Sequence, residues 1–157
     1  MNLQPTVFEF TSYKLNPSQK RILFNYKTEF KQGKPLFFSE TVILPIKPNA
    51  KEIPKKLTSK LLEGLHIMLG ISYYKLYCAT KVKLPYKLSK GEACFWNTVY
   101  KNGLSEFFYK NKLDPKTSPK FPYTRNYNPT PISYKLKIKS LVGIGGGKDS
   151  IVAAELL

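Results

Sequence analysis

Along the first third of the chain apolar and polar residues alternate, and through the middle they recur every three to four positions. Three segments rich in aromatic and β-branched residues, Val7 to Leu15, Ile22 to Phe30 and Leu36 to Leu44, are separated by Asn16-Pro17-Ser18 and by Lys31-Gln32-Gly33-Lys34-Pro35. This predicts an antiparallel β-meander with short loops. In the second segment Ile22, Phe24, Tyr26 and Thr28 fall on one face, and Leu23, Asn25 and Lys27 on the other. Pro54 can then open a helix at its first position, with Leu57, Leu61, Leu65, Met68 and Ile71 at helical spacing and Leu62, Leu69, Tyr73 and Leu76 widening the stripe. A helix apolar almost all round is expected to be central. Gly64 and Gly70 each cost about 1 kcal/mol against alanine inside a helix, so close packing or ligand approach must account for them.

A short strand is predicted over Lys81 to Leu84. Ser89 then caps a second main helix, with Glu92 three residues on as its capping-box partner. Trp96, Tyr100, Leu104 and Phe107 line one face of that helix, joined by Phe95, Val99 and Phe108, which reads as core. Between Asp114 and Pro131 lie Pro115, Pro119, Pro122, Pro129 and Pro131. So many missing backbone donors predict an irregular connection. It carries Arg125, the one arginine near the region that follows.

From Lys137 to Leu157 the pattern changes again. An apolar run, Ile138 to Ile144, predicts a buried strand, and Ile151 to Leu157 the first turns of a helix, with Gly145-Gly146-Gly147-Lys148-Asp149-Ser150 between them. Three consecutive glycines leave no Cβ to hold an anion off the backbone, so neighbouring N–H groups can converge on phosphate oxygens. A helix N-terminus adds unpaired N–H groups and the positive end of its dipole. Lys148 supplies a point charge and Ser150 a hydroxyl.

Spacing discriminates among phosphate loops. A Gly-x-x-x-x-Gly-Lys-Ser/Thr loop would need glycine at Val142 and a hydroxyl at Asp149. A Gly-x-Gly-x-x-Gly loop would need glycine at Lys148 or at Ser150. The stretch instead resembles the Ser-Gly-Gly-x-Asp-Ser loop of the ATP pyrophosphatases. Gly146, Gly147, Asp149 and Ser150 match it, and Gly145 replaces the usual serine, losing one hydroxyl. A glycine-rich turn without a ligand is the plainer alternative.

At 157 residues the chain is long enough for one domain with a core. A loop of this kind works at the edge of a parallel sheet, and here it comes last. The expected organisation is an α+β domain over residues 1–134 and, over 135–157, the first strand, loop and helix of a truncated α/β ATP-binding domain. The sequence then reads as the amino-terminal piece of a longer protein, unable to complete a reaction alone.

Net charge is +16, which ordinarily points to nucleic acid or an anionic membrane. Of the 26 basic residues, however, only Arg21 and Arg125 are arginine, the residue best suited to bidentate phosphate and base contacts. Abundant Lys, Asn, Tyr, Phe and Ile also fit an AT-biased genome. Cys78, Cys94 and the lone His66 make no metal-ligand spacing, and each cysteine reads as a small buried hydrophobe. The start of the chain lacks the basic and apolar regions of a signal peptide, and Leu61 to Ala79 carries too many polar residues to span a membrane. The cytoplasm is the expected compartment.

Three separated motifs carry a more specific resemblance: Gly70-Ile71-Ser72-Tyr73-Tyr74-Lys75, Asn102-Gly103-Leu104-Ser105-Glu106-Phe107, and Leu141-Val142-Gly143-Ile144 running into the Gly-Gly-Gly-Lys-Asp-Ser loop. In this order they resemble the amino-terminal portion of the UDP-N-acetylmuramoyl-L-alanyl-L-glutamate epimerase (MurL) family. The resemblance implies epimerisation of the terminal L-glutamate of a UDP-muramyl dipeptide through an acyl-adenylate, using ATP and magnesium and releasing AMP and pyrophosphate. It implies that Gly145, Gly146, Gly147, Lys148, Asp149 and Ser150 bind the phosphates, with Asp149 also a candidate for Mg2+. Lys75, Tyr73, Tyr74 and Glu106 lie in the family-like stretches and are candidate catalytic residues, each also explained by packing or solvation. Another adenylating enzyme of this superfamily acting on tRNA, or a non-catalytic basic domain binding nucleic acid, are the competing readings.

Overall fold

A computed structural model of the chain describes residues 4–45, 53–114, 117–134, 142–143 and 145–156. Strands β1 (Pro5–Asn16), β2 (Arg21–Phe30) and β3 (Leu36–Ile43) form the antiparallel meander that alternation predicts. Helix α1 (Lys55–Tyr74) then crosses back to β4 (Lys81–Lys83), which lies parallel to β1, so the sheet is mixed with order β3-β2-β1-β4. Helices α2 (Lys90–Gly103) and α3 (Ser105–Lys110) follow, and α4 (Lys148–Glu155) lies beyond the proline-rich segment. The class is α+β.

In β2 the core-facing set is Ile22, Phe24, Tyr26 and Thr28, all buried. β1 reaches the same result by a different route. Phe8 and Phe10 face inward, and an irregularity in pairing between Phe10 and Ser12 then shifts the parity so that Tyr13 and Leu15 pack against the core. One inserted residue changes which face every later side chain occupies. The outer face mixes polar residues with Leu23, Phe37 and Ile43. Lys27 Nζ sits 2.7 Å from both Glu9 and Glu29, while the Asn25 amide donates to Ser12 at 3.0 Å and accepts from Ser39 at 2.8 Å.

Helix α1 turns a different side to the sheet from the one its leucines suggest. The buried residues are Leu62, His66, Ile67, Gly70 and Tyr74, whereas Leu61, Leu65 and Met68 are exposed. The rings of Phe8, Phe10 and Tyr26 fill the inner face of the sheet, and the helix approaches them where Gly70 leaves room. The helix therefore covers the sheet and is not surrounded. Pro54 stands at the N-cap and Lys55 is the first helical residue, one position later than expected.

Ser89 and Glu92 form the expected capping box, with the Glu92 N–H donating to Ser89 Oγ at 3.2 Å and the Ser89 N–H donating to Glu92 Oε2 at 2.7 Å. The second main helix is broken at Leu104 into α2 and α3, and the Ser105 hydroxyl donates to the Asn102 carbonyl at the break. Ala93, Tyr100, Leu104 and Phe108 are its core face, whereas Phe95 is exposed. The Tyr100 hydroxyl donates to the Ile67 carbonyl at 2.7 Å, holding α2 against α1.

The proline-rich connection contributes to the core. Phe121 is buried with its ring centroid 4.9 Å from that of Tyr100 and 6.1 Å from that of Phe10. Its N–H donates to Asn97 Oδ1 at 2.8 Å, and the Thr124 N–H donates to the Leu88 carbonyl. Missing amide donors prevent a helix or strand, and the segment is tied down by side chains instead. Cys94 is exposed and Cys78 half-buried, so neither is the fully buried hydrophobe that their number and spacing suggest.

Candidate functional site

The glycine loop opens α4. Gly146 has φ +77°, the left-handed region that L side chains rarely adopt, and Gly147 is the extended N-cap with φ −85° and ψ 161°. A Cβ built on Gly145, Gly146 or Gly147 would meet no described residue within 4 Å. Gly147 has no side chain with which to cap the first turn of α4, and the leading N–H groups of that turn carry the positive end of the helix dipole.

Lys148 and Asp149 are exposed beside the loop, and Ser150 donates its hydroxyl to the Gly147 carbonyl at 2.7 Å. An uncovered glycine cradle, a cation and a carboxylate fit the needs of a phosphate chain carrying a hard divalent cation. The predicted strand leading into the loop falls largely on residues outside the described ones. Every residue of α4 is exposed or half-buried, with Ile151, Val152 and Leu156 all exposed.

The four candidate catalytic residues have unlike surroundings: Tyr73, Tyr74 and Lys75 are consecutive at the end of α1, and Glu106 lies on α3. Tyr74 is fully buried, its ring edge-on to Phe8 and Tyr100 and its hydroxyl pushed above the usual tyrosine range by burial. Tyr73, one residue earlier, donates to Glu40 Oε2 at 2.6 Å, and that bond, followed by burial, pushes its hydroxyl up to about 12. Lys75 is the exposed C-cap of α1. Glu106 is exposed on α3 and pairs with Lys110 at 2.6 Å. Among the described residues no three His, Cys, Asp or Glu side chains gather as a metal site would require.

His66, read from the sequence only as too isolated for a metal site, is with Tyr74 one of the two fully buried titratable side chains of α1. It is fully buried among the rings of Phe10, Tyr13, Phe24, Tyr26 and Tyr86, with centroids 4.9 to 6.1 Å away. Nε2 faces the Asn25 carbonyl at 3.1 Å and must donate to it, which fixes the neutral tautomer. Burial pulls the imidazole down to about 4, outweighing that hydrogen bond. Its position four residues before Gly70 on the buried stripe is the signal that periodicity offered.

Comparison with known proteins now bears on the site. The family model described as the MurL N-terminal domain matches residues 2–157, the glycine loop included. The chain belongs to the MurL N-terminal domain family. The similar proteins include UDP-N-acetyl-alpha-D-muramoyl-L-alanyl-L-glutamate epimerases. That of Micromonospora sp. is 32% identical over 156 residues, covering 96% of this chain and 34% of the relative. That of Salinispora tropica is 32% identical over 154 residues, with 96% and 33% covered, and that of Xanthomonas oryzae pv. oryzae 33% identical over 130 residues, with 82% and 28% covered. The MurL-type chain thus spans about a third of the length of these curated relatives. No solved structure matches it. No helix among the described residues is long and apolar enough to cross a membrane.

Proposed function

We propose that the chain is the amino-terminal part of an ATP-dependent epimerase that converts the terminal L-glutamate of UDP-MurNAc-L-Ala-L-Glu to D-glutamate in peptidoglycan precursor synthesis. Membership in a family whose relatives are named for this epimerisation supports the reading. The open glycine loop of residues 145–150 adds the means to hold a polyphosphate.

An α-proton beside a carboxylate is very weakly acidic, because the carbanion would form next to an existing negative charge. Attack of that carboxylate on the α-phosphorus of ATP forms an acyl-adenylate and expels pyrophosphate, removing the opposing charge. A base then takes the α-proton, a proton returns on the opposite face, and water cleaves the acyl–phosphate bond to release AMP. In this scheme the amides of Gly145, Gly146 and Gly147 and the first turn of α4 grip the departing pyrophosphate, with Lys148 neutralising charge and Ser150 turning its hydroxyl toward an oxygen. Asp149 would hold magnesium, which when bound screens the phosphate charge. The base is assigned to none of Lys75, Tyr73, Tyr74 or Glu106: Tyr74 is buried, Tyr73 and Glu106 are engaged with Glu40 and Lys110, and Lys75 is solvent-exposed. The remaining two thirds of a relative-length polypeptide would supply it, together with the pocket for adenine.

The test is a reaction of the relative-length protein with UDP-MurNAc-L-Ala-L-Glu and ATP in deuterium oxide. AMP should form and deuterium should enter the glutamate α position, each dependent on ATP. Neither AMP nor α-exchange would refute the assignment. Lys148→Ala should slow AMP formation on the order of a hundredfold, as removal of a charge-stabilising donor does elsewhere.

A further inference from the structure

A groove of about 520 Å³ runs between α2 and the segment around Ser118 to Tyr123, away from the glycine loop in sequence and built from elements the proposed chemistry does not use. Lys90, Cys94, Asn97 and Lys101 reach it from one face of α2 at spacings of four, three and four, the repeat of a single helix side. Lys120 stands on the opposite wall, and Tyr123 at the rim is more than half exposed. The floor is apolar and rigid. Ala93, Pro119 and Phe121 are buried, and the Phe121 ring is fixed against Tyr100 and Phe10.

Two features separate this groove from an ordinary solvated lysine surface. No described residue lining the groove is acidic, so Lys90, Lys101 and Lys120 bring three positive charges and no negative one to a single concavity. Asn97 is also oriented: its Oδ1 accepts from the Phe121 N–H, which leaves its NH2 group as a positioned donor. Three cations and an amide donor over an apolar floor, with an aromatic ring at the edge, suit a small anion that also carries a flat ring. The volume lies in the range of small-molecule sites. From Lys90 to Lys101 the helix advances roughly 16 Å, enough for one extended nucleotide but too short a track for a polyanion.

We propose that this groove holds the uridine diphosphate end of the nucleotide-linked substrate, lying along the α2 face between Lys90 and Lys101, with Lys120 and the nearer of those two lysines on the diphosphate and the uracil ring over the apolar floor beside Tyr123. The identity of the ligand rests on the functional reading above; the charge and shape of the site do not. UDP recognition would then lie in the amino-terminal domain, separate from the loop that holds the phosphates of ATP.

The exposed thiol of Cys94 reports occupancy directly. Alkylation of the chain by iodoacetamide, followed by mass spectrometry of the Cys94 and Cys78 peptides, should show Cys94 protected by UDP, less by UMP and least by uridine, with Cys78 unaffected. The double variant Lys90→Ala/Lys101→Ala removes the helix lysine on the diphosphate whichever way the nucleotide lies, and should weaken UDP protection by about tenfold, with an unchanged melting temperature as the folding control. Tyr123→Ala should weaken UDP more than it weakens pyrophosphate. Absence of protection by saturating UDP, equal protection by ATP, protection by a single-stranded oligonucleotide alone, or an unchanged UDP affinity in the double variant would each overturn the assignment. Failure here with ATP-dependent α-exchange intact in the relative-length protein removes the groove and leaves the epimerase. UDP protection without α-exchange does the reverse.

Discussion

Gly70 on α1 faces the ring of Phe10 on β1 so closely that a Cβ at this position would overlap Phe10 Cε1 and come within 3.1 Å of Tyr26 Cε1. The missing side chain is what lets the helix lie against a sheet face built of aromatic rings. Both rings are completely buried, so neither can swing aside. Gly70→Ala is expected to destabilise the domain by about 1–3 kcal/mol through overpacking. Gly64, two turns earlier, meets only Trp96 Cζ2 at 4.0 Å, an ordinary contact. Gly64→Ala should therefore stabilise by up to about 1 kcal/mol, from helix propensity and a less flexible unfolded chain. Urea unfolding of the two variants should move the midpoint in opposite directions.

His66 makes stability depend on acidity. Its folded-state value of about 4 lies below the ordinary 6.5, so the unfolded chain binds the proton more readily between these two values. Its contribution to stability is therefore complete above pH 6.5, is lost as pH falls toward 4, and changes no further below that. The gap corresponds to about 3 kcal/mol. His66→Phe should flatten this acid limb relative to the parent, while lowering stability at neutral pH by about 1–3 kcal/mol because the Asn25 carbonyl loses its donor. Chemical denaturation at several pH values, compared between the two proteins, checks both parts.

The capping box of α2 gives a local test. Ser89→Ala removes the acceptor of the Glu92 N–H and should cost roughly 0.5–2 kcal/mol, with Ser89→Gly costing less. Thermal melts followed by far-ultraviolet circular dichroism would show the ranking. Equal stability of all three would mean that solvent satisfies the first turn as well as the side chain does.

In the glycine loop, activity and stability should separate. A Cβ at Gly146 would meet no described residue within 4 Å, so Gly146→Val should leave the unfolding of the sheet and α1 unchanged. A β-branched residue is nevertheless strained at φ +77° and places methyl groups where phosphate oxygens would lie. In the relative-length protein this variant should reduce ATP-dependent AMP formation on the order of a hundredfold. Full activity with altered melting would be the opposite of what the loop geometry implies.

Period-2 alternation in β2, the helical run after Pro54, the Ser89–Glu92 box and the glycine run are local patterns, and the backbone obeys them because each is set by residues a few positions apart. What a helix with leucines on several sides buries is not local. The choice of Leu62, His66, Gly70 and Tyr74 over Leu61, Leu65 and Met68 was made by the sheet, whose rings leave space only against a glycine. The same holds for Phe121, which its prolines mark as loop but whose ring fills the gap between Tyr100 and Phe10, and for the three lysines that only the docking of that loop on α2 gathers around one groove. The strands of the meander, the helices and the glycine-rich turn were legible from residue order alone, since those depend on backbone propensity and spacing. Tertiary structure decided which side chains meet, since burial is a property of the partner surface and not of the segment alone.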